Sequence, residues 1–317
     1  MKVSVVGASG FVGRQLCPLL SAHGFDVTAV VREPGSGAPF SEFVIGDIAS
    51  TPNWSQGLAG VNVVVHLAAR VHVMNDESGS PLREYRKVNT DSTMHLAKSA
   101  VAAGVQRFIY LSTIKVLGEQ TGDQPFGPDD PPAPVDPYAL SKYEAEQRLA
   151  ELGRQSGMEI VIIRPPLVYG PGVGGNVLTA FDLVTKGYPL PLGMIHNKRS
   201  MVSVSNLCDL IMRTLDHPGA TGRPLLVADG EDLSTGEFFK LIGQSLDRSA
   251  RVFPVPEFLL KGGGAILGRL AAIGRLTQSL QVDASATCTR LDWQPPMTPD
   301  DEMTRTAQWY LQQRDVQ

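Results

Sequence analysis

Tyr138 and Lys142 place a phenol and an ammonium four residues apart, a spacing that suits acid–base chemistry. On a helix, side chains at this spacing lie one turn apart on the same face. A phenol with a pKa of about 10 is a poor catalyst at neutral pH, and a neighbouring cation favours the phenolate and lowers that pKa. The sequence therefore predicts Tyr138 as a general acid–base and Lys142 as its partner, which could also hold a cofactor ribose. The alternative is a polar pair on a surface helix.

A glycine-rich turn follows the first predicted strand and begins the first predicted helix. Glycine permits a tight turn and close approach of a ligand to the backbone, while the helix N-terminus offers free N–H groups to a pyrophosphate. The alternative is an ordinary turn between a strand and a helix. We interpret this turn as a dinucleotide-binding site with the residues Gly7, Ser9, Gly10, Phe11, Val12 and Gly13.

The choice of dinucleotide depends on Arg32 and Glu33, which follow the second predicted strand. NAD-specific sites usually carry an acid here for the ribose hydroxyls, whereas an arginine can pair with a 2′-phosphate. The sequence therefore favours NADP(H). NAD(H) is the alternative, in which Arg32 is solvated or stacks on adenine and Glu33 binds the ribose. Asp47, after the third predicted strand, could accept a hydrogen bond from the adenine amino group or could simply form a turn.

Ser112 and Thr113 follow the strand predicted at Arg107–Leu111. In an open α/β sheet, ligands bind outside the carboxyl ends of the strands, so these hydroxyls should face the cofactor crevice. Thr113 is the better candidate to hydrogen-bond the reacting substrate oxygen. The alternative is a hydroxyl that caps its own strand end.

Up to about residue 165, apolar strands alternate with helices, which predicts a doubly wound parallel sheet of the Rossmann type. The predicted strands are Val3–Val6, Asp26–Val31, Glu42–Ile45, Val61–Leu67, Arg107–Leu111 and Glu159–Ile163, with helices at Phe11–His23 and Tyr138–Gln155. Later helices are predicted at 176–186, 205–216, 234–246, 256–280 and 299–313. We therefore expect a cofactor domain at residues 1–165 that also carries the catalytic residues. A smaller, mostly helical substrate-binding part should follow at 166–317, and the chain could return to the sheet around 199–217.

Composition narrows the function classes. With 28 basic and 32 acidic residues the net charge is −4, which argues against nucleic-acid binding. Three distant cysteines suggest neither a disulfide framework nor a metal site, and the N-terminus does not look like a signal peptide. The apolar stretch from Gly262 to Leu276 contains Arg269 and Arg275 and is too short to span a membrane; it could at most lie on a membrane surface. We expect a cytoplasmic protein.

Taken together, these motifs resemble the extended short-chain dehydrogenase/reductase family of sugar-nucleotide epimerases, dehydratases and 4-ketoreductases. The resemblance covers nearly the whole chain, and its pieces are Gly7–Gly13, Asp47-Ile48, His66-Leu67-Ala68-Ala69, Asn89, Ser112-Thr113, Tyr138 with Lys142, and Arg164–Pro171. It implies that Tyr138, Lys142 and Thr113 are catalytic. It also implies a cofactor site that includes Asp47, Ile48, Leu67, Ala68, Ala69, Asn89 and Pro165, and a UDP-sugar site that includes Thr113, Asn176 and Arg199.

The segments at 70–74, 113–116 and 279–283 look most like a bacterial branch that includes UDP-2-acetamido-2,6-dideoxy-hexulose 4-reductases of surface-polysaccharide synthesis. Arg32 and the segment Lys115–Gly118 depart from the pattern of NAD-retaining epimerases. The main prediction is therefore an NAD(P)-dependent 4-ketoreductase that acts at C4 of a UDP-hexose. The alternative is a UDP-hexose 4-epimerase for UDP-glucose or UDP-N-acetylglucosamine, and a remote one is a non-catalytic dinucleotide sensor. The resemblance leaves room for a homodimer.

Overall fold

Nine strands are present in the part of the chain that the computed structural model describes, which is residues 1–35, 40–71, 80–266 and 270–315. They are β1 (Lys2–Val6), β2 (Asp26–Val31), β3 (Ser41–Val44), β4 (Val63–His66), β5 (Arg107–Leu111), β6 (Glu159–Arg164), β7 (Leu167–Tyr169), β8 (Met201–Ser203) and β9 (Leu225–Leu226). Seven of them form a parallel sheet in the order β3-β2-β1-β4-β5-β6-β9, and β7 pairs with β8. The prediction of a doubly wound parallel sheet is confirmed.

The central strands are runs of apolar, mostly β-branched residues, because both faces of the sheet are covered. Val3, Val5 and Val65 contribute to the core on one face, and Val64 and Phe108 contribute to the core on the other. Their parallel register aligns the ends of β1 and β4, with Val6 opposite His66. The carboxyl ends of the central strands therefore meet along one edge of the sheet.

The helices are α1 (Phe11–Ala22), α2 (Pro81–Tyr85), α3 (Ser92–Ala102), α4 (Pro137–Ser156), α5 (Gly175–Thr185), α6 (Val204–Arg213), α7 (Thr235–Ser245), α8 (Glu257–Ile266), α9 (Leu270–Thr277), α10 (Ser285–Leu291) and α11 (Pro299–Asp315). A π-helical segment, Arg86–Asp91, joins α2 to α3. Asp136 caps α4 by accepting a hydrogen bond from the Ala139 amide, 2.6 Å away, and Gly157 ends α4 in a left-handed conformation. The caps at both ends of α4 fix the helix that carries Tyr138.

The second half of the chain builds its own core and also rejoins the sheet. Helices α5, α7 and α11 pack around Phe181, Ile242 and Tyr310. The strand Leu225–Leu226 pairs with β6, and α6 packs on α1. The boundary between residues 165 and 166 therefore does not separate two independent cores, and the functional division into residues 1–165 and 166–317 stays a prediction.

Some elements differ from their predicted extent. The helix predicted at 256–280 comprises two helices, α8 and α9, and residues 267–269 between them lie outside the described residues. The short helix α10 was not predicted. No helix in the described ranges is both long and apolar enough to cross a membrane.

Candidate active site

The glycine-rich turn connects β1 to α1 at the carboxyl edge of the sheet. Gly7 has a φ of +91°, and a Cβ atom there would lie 2.8 Å from the amide nitrogen of Ala68. A Cβ on Gly13 would lie 2.4 Å from the Gly7 carbonyl oxygen. Gly10 is the N-cap of α1 and no side chain caps this helix end. The first turn of α1 holds no acidic residue, so its N–H groups suit a pyrophosphate.

The segment that follows β4 lies against this turn. Leu67 and Ala68 donate their amide hydrogens to the Val6 carbonyl, at 2.9 and 3.1 Å. Asn89 lies buried in the π-helical segment and holds the backbone of Arg70 in place. Its side chain accepts a hydrogen bond from the Arg70 amide at 2.8 Å and donates one to the Arg70 carbonyl at 3.0 Å. It also donates to Ser141 of α4 at 3.0 Å. Asn89 thus positions the segment at Ala69; its own contact with a dinucleotide stays a prediction.

Thr113 and Tyr138 lie together at the carboxyl edge. Thr113 directly follows Ser112 at the end of β5 and is buried, and its side chain lies close enough to the Tyr138 phenol to lower the pKa of that phenol. Tyr138 lies in the first turn of α4, where the ring of Tyr85 packs edge-on against it at 6.1 Å between centroids. The structure therefore brings together a hydroxyl and a phenol that the sequence placed 25 positions apart.

The protein's own groups raise the pKa of Tyr138 to about 12. Burial is the main cause and the Asp136 carboxylate adds to it, while the hydrogen bond from Thr113 opposes it. The Lys142 ammonium donates to the Leu111 carbonyl at 2.6 Å, and its lowering of the Tyr138 pKa stays a prediction. With this raised pKa, the Tyr138 phenol of the protein alone is protonated at neutral pH.

Lys142 is itself buried, and its ammonium lies 4.0 Å from the centre of the Tyr110 ring. Burial lowers its pKa to about 7, and the negative charge of Glu146 opposes that shift. The amine therefore changes protonation state near neutral pH. Its bond to the Leu111 carbonyl ties α4 to the end of β5, directly beside Thr113.

A buried ion pair that the sequence analysis missed lies behind Lys142. Arg164 of β6 donates to both carboxylate oxygens of Glu146, at 3.1 and 2.6 Å, and both side chains are about 5% exposed. The Ser112 hydroxyl also hydrogen-bonds to Glu146. Glu146 follows Lys142 by four residues on α4, a spacing that could have signalled the pair. The network connects the ends of β5 and β6 to the helix that carries the reactive side chains.

Lys115, two residues after Thr113, has contacts that the sequence analysis did not predict. Its ammonium bonds to Asp136 at 2.7 Å and to Glu119 at 2.8 Å. Since Asp136 is the N-cap of α4, this pair connects the loop after β5 to the start of the helix that carries Tyr138. The departure from the family pattern at Lys115 therefore has a structural role in the first turn of α4.

The other predicted cofactor residues lie at the same edge. Arg32 directly follows β2 and is exposed. Asp47 is exposed and caps a short 3₁₀ turn by accepting from the Ala49 amide at 3.0 Å, which is the turn role that we had considered as its alternative. Ile48 is half-buried against the core. The Pro165 carbonyl accepts from the Ile114 amide at 2.9 Å, which places Pro165 beside the loop that begins at Thr113.

The two predicted substrate residues occupy different settings. Asn176 is exposed in the first turn of α5, whose N-terminal N–H groups no side chain caps. Arg199 is half-buried and donates through Nη1 to the carbonyls of Arg275 and Gln278, at 3.2 and 3.1 Å. Burial lowers the pKa of its guanidinium. Arg199 therefore anchors the end of α9, a structural role that the sequence analysis did not anticipate.

The sequence of this chain is similar to those of known epimerases and dehydratases. Residues 3–228 match the NAD dependent epimerase/dehydratase family. A "UDP-glucose 4-epimerase" of Vibrio cholerae is 44% identical over 313 residues, which cover 98% of this chain and 95% of that protein. An "N-acetyl-alpha-D-glucosaminyl-diphospho-ditrans,octacis-undecaprenol 4-epimerase" of Escherichia coli O157:H7 is 28% identical, covering 92% of this chain and 87% of that protein.

Among solved structures, a "UDP-Glucuronic acid 4-epimerase" of Bacillus cereus, in complex with NAD, superposes with a TM-score of 0.81. The two share 20% sequence identity, and the match covers 100% of this chain and 99% of that one. At this identity the likeness supports the fold, while the family match rests on the sequence. The chain belongs to the NAD-dependent epimerase/dehydratase family, within the extended short-chain dehydrogenases/reductases.

Proposed function

We propose that this protein is a UDP-hexose 4-epimerase that interconverts a UDP-hexose with its C4 epimer. The observation that carries the proposal is the proximity of the Thr113 hydroxyl to the buried Tyr138 phenol at the carboxyl edge of the sheet. The relatives favour this alternative over the 4-ketoreductase that was the main prediction from the sequence, since the 44% identical relative is described as a 4-epimerase. UDP-glucose and UDP-N-acetylglucosamine are the proposed substrates.

The residues present fit a dinucleotide. Gly7 and Gly13 leave room that a side chain would fill, and the N-terminus of α1 offers unpaired N–H groups to a pyrophosphate. Ala68, Ala69 and Pro165 would line the cofactor, with Asn89 holding the segment that contains the two alanines. Family membership supports NAD. The preference for NADP(H) that Arg32 suggested stays a prediction.

The chain's own residues would remove and return the proton of the C4 hydroxyl. A bound oxidised nicotinamide supplies a hydride acceptor for C4 and a positive charge that favours the phenolate of Tyr138. Tyr138 would take the proton from the C4 hydroxyl and return it once the sugar presents its other face, while Thr113 hydrogen-bonds the same oxygen. Lys142, protonated below a pKa of about 7, would bind the cofactor ribose and add positive charge.

The sugar nucleotide would be bound mainly by residues 166–317. We propose that Asn176 and the open N-terminus of α5 bind the diphosphate, since free N–H groups at a helix start favour phosphate. Arg199 would contribute the guanidinium nitrogens that do not bind the end of α9. A homodimer stays a prediction that analytical ultracentrifugation can test.

The function is tested by offering the protein two kinds of substrate. With UDP-glucose or UDP-N-acetylglucosamine and catalytic NAD, we expect the C4 epimer to form without net change at the nicotinamide absorbance band. With a UDP-4-keto-6-deoxy-hexose and NADPH or NADH, we expect no more than slow oxidation of the dinucleotide. Stoichiometric oxidation with the keto sugar, and no epimer from the hexoses, would replace the epimerase by the 4-ketoreductase.

Arg32→Ala tests the choice of dinucleotide. If Arg32 binds a 2′-phosphate, the variant should lose about 1.5–3 kcal/mol of NADPH binding, the usual contribution of a charge-assisted hydrogen bond, and keep its affinity for NADH. Calorimetric titration with both reduced dinucleotides measures this. An equal loss for both, or no loss, would show that Arg32 does not select the cofactor.

Arg199→Ala tests the anchoring of the UDP-sugar. Removing a guanidinium that contacts the diphosphate should raise the KM and the inhibition constant of free UDP in parallel, by about tenfold or more. Arg154→Ala, which removes an exposed arginine of α4, is the matched control. If UDP inhibits the Arg199 variant as well as the original enzyme, Arg199 only supports α9.

A further inference from the structure

Exposed apolar side chains occur on two neighbouring segments in the second half of the chain. Tyr188 and Met194 flank one loop, and they are 53% and 44% exposed. Phe253, Phe258 and Leu259 belong to a second segment, and they are 42%, 71% and 55% exposed. Backbone hydrogen bonds hold the two segments side by side. A patch of this kind on a water-facing surface usually marks an interaction site.

The two segments are fixed to each other, so the patch is a built surface. The Leu190 amide donates to the Arg251 carbonyl at 2.9 Å, and the Phe253 amide donates to the Leu190 carbonyl at 2.9 Å. The Gly193 amide donates to the Phe253 carbonyl at 3.0 Å. Helix α8 starts directly after this ladder, and it packs against α9. The segments that carry the apolar side chains are therefore held in place by backbone hydrogen bonds and by helix packing.

The charges around these side chains are positive. Between Phe258 and Val282 the sequence has three basic residues and no Asp or Glu. Lys261 pairs with Glu257 at 2.8 Å. Arg251 and Arg275 are exposed; Arg251 belongs to the segment that carries Phe253, and Arg275 lies on α9, which packs against α8. Among the described residues, neither arginine forms an ion pair with a carboxylate. Exposed aromatic and aliphatic side chains flanked by arginines match the chemistry of an anionic lipid surface.

A second copy of the chain fits this surface less well. In a twofold dimer, the same face of both subunits meets, so two surfaces that both carry arginines would be placed against each other. Like charges brought together in this way oppose association. An anionic bilayer provides an apolar acyl-chain region for Phe258 and Leu259 and negatively charged headgroups for the two arginines.

We propose that this face, defined by Tyr188, Met194, Phe253, Phe258 and Leu259 with Arg251 and Arg275, docks onto the surface of an anionic phospholipid bilayer. It does not span the bilayer. The exposed apolar side chains would enter the interfacial layer of the bilayer, and Arg251 and Arg275 would lie among the lipid headgroups.

Docking on this face would also bring the active-site rim toward the membrane. The chain that leaves α9 accepts hydrogen bonds at Ser279 and Gln281 from the amides of Thr121 and Phe126, at 2.9 and 2.8 Å. Leu280 packs in the same cluster as Ile114, which directly follows Thr113. The segment that follows α9 is therefore hydrogen-bonded to and packed against the loop that follows Thr113.

Flotation of the full-length protein with lipid vesicles tests the proposal. We expect binding to vesicles of phosphatidylcholine mixed with phosphatidylglycerol, little binding to phosphatidylcholine alone, and release at 1 M salt, where the Debye length falls to about 3 Å. The double variant F258S/L259S should partition about tenfold or more weakly, since it removes two large apolar side chains from the interface. R251Q/R275Q should weaken binding to anionic vesicles toward the low level expected with phosphatidylcholine alone.

Matched controls are V44S/L311S, two other exposed apolar residues, and R148Q/R154Q, two exposed arginines of α4. Both controls should bind vesicles as the original protein does. Thermal melting and turnover of a water-soluble UDP-sugar should be unchanged in F258S/L259S, so a loss of flotation cannot come from unfolding. Failure of the original protein to float with anionic vesicles would overturn the proposal and leave the epimerase assay unaffected. Equal losses in the controls, or a dimer that F258S/L259S dissociates, would overturn it too.

Discussion

Tyr138→Phe is expected to lower turnover by about 10²–10⁴-fold, the usual contribution of a general acid–base. The phenol is the group that lies beside Thr113, and the substitution removes only its oxygen. The ring still packs against Tyr85, so the fold and the dinucleotide affinity should stay close to those of the original enzyme. Steady-state kinetics with a UDP-hexose, together with a dinucleotide titration, measures both quantities.

Tyr143→Phe is the matched control, because Tyr143 lies on the same helix and bonds only to Gln147, on the exposed side. It should keep normal turnover. If Tyr138→Phe turned over as fast as this control, another group would carry the proton. A large loss of dinucleotide binding in Tyr138→Phe would instead make the phenol part of the cofactor site.

The central strands could be predicted from the sequence, because a strand buried on both faces consists of an almost continuous run of apolar residues. β2 and β5 have the predicted bounds, and β6 is one residue longer than predicted. Long capped helices such as α4 were also predicted, since Asp136 and Pro137 mark its start. By contrast, β9 is two residues long and pairs only at the end of β6. A strand that short has no period to detect.

The candidate site was predicted in part for a similar reason. Local motifs point to Tyr138, Lys142 and the glycine turn, because each occupies one turn or one helix face. The partners of Lys142 could not be predicted, since the contact with Leu111 joins positions 31 residues apart. The sequence likewise assigns Arg199 to the UDP-sugar site, and only tertiary structure shows that it also lies at the end of α9.

Glu146→Gln is expected to cost about 3–5 kcal/mol of unfolding free energy, because it leaves the Arg164 guanidinium buried without its counter-charge. Both side chains are almost fully buried, and the pair also takes a hydrogen bond from Ser112. Chemical denaturation measures the loss. Glu151→Gln, which breaks an exposed ion pair with Arg154 on the same helix, is the control and should cost at most about 1 kcal/mol.

The double variant Glu146→Leu/Arg164→Met should recover most of that stability, because well-packed apolar side chains often replace a buried ion pair at little cost. It would still lack the negative charge near Lys142. A double variant as unstable as Glu146→Gln would show that the loss comes from packing or from Ser112 rather than from the unpaired Arg164.

The same double variant should change the pH dependence of turnover. The carboxylate of Glu146 raises the pKa of Lys142, which burial otherwise lowers, to a final value of about 7. Without that carboxylate the pKa of Lys142 falls, so the ammonium is lost at a lower pH than in the original enzyme. If turnover requires the ammonium, the decline of activity with rising pH should shift to lower pH in the double variant and stay in place in Glu151→Gln. A profile that does not move would show that Glu146 acts through the strands that it connects and not through the charge of Lys142.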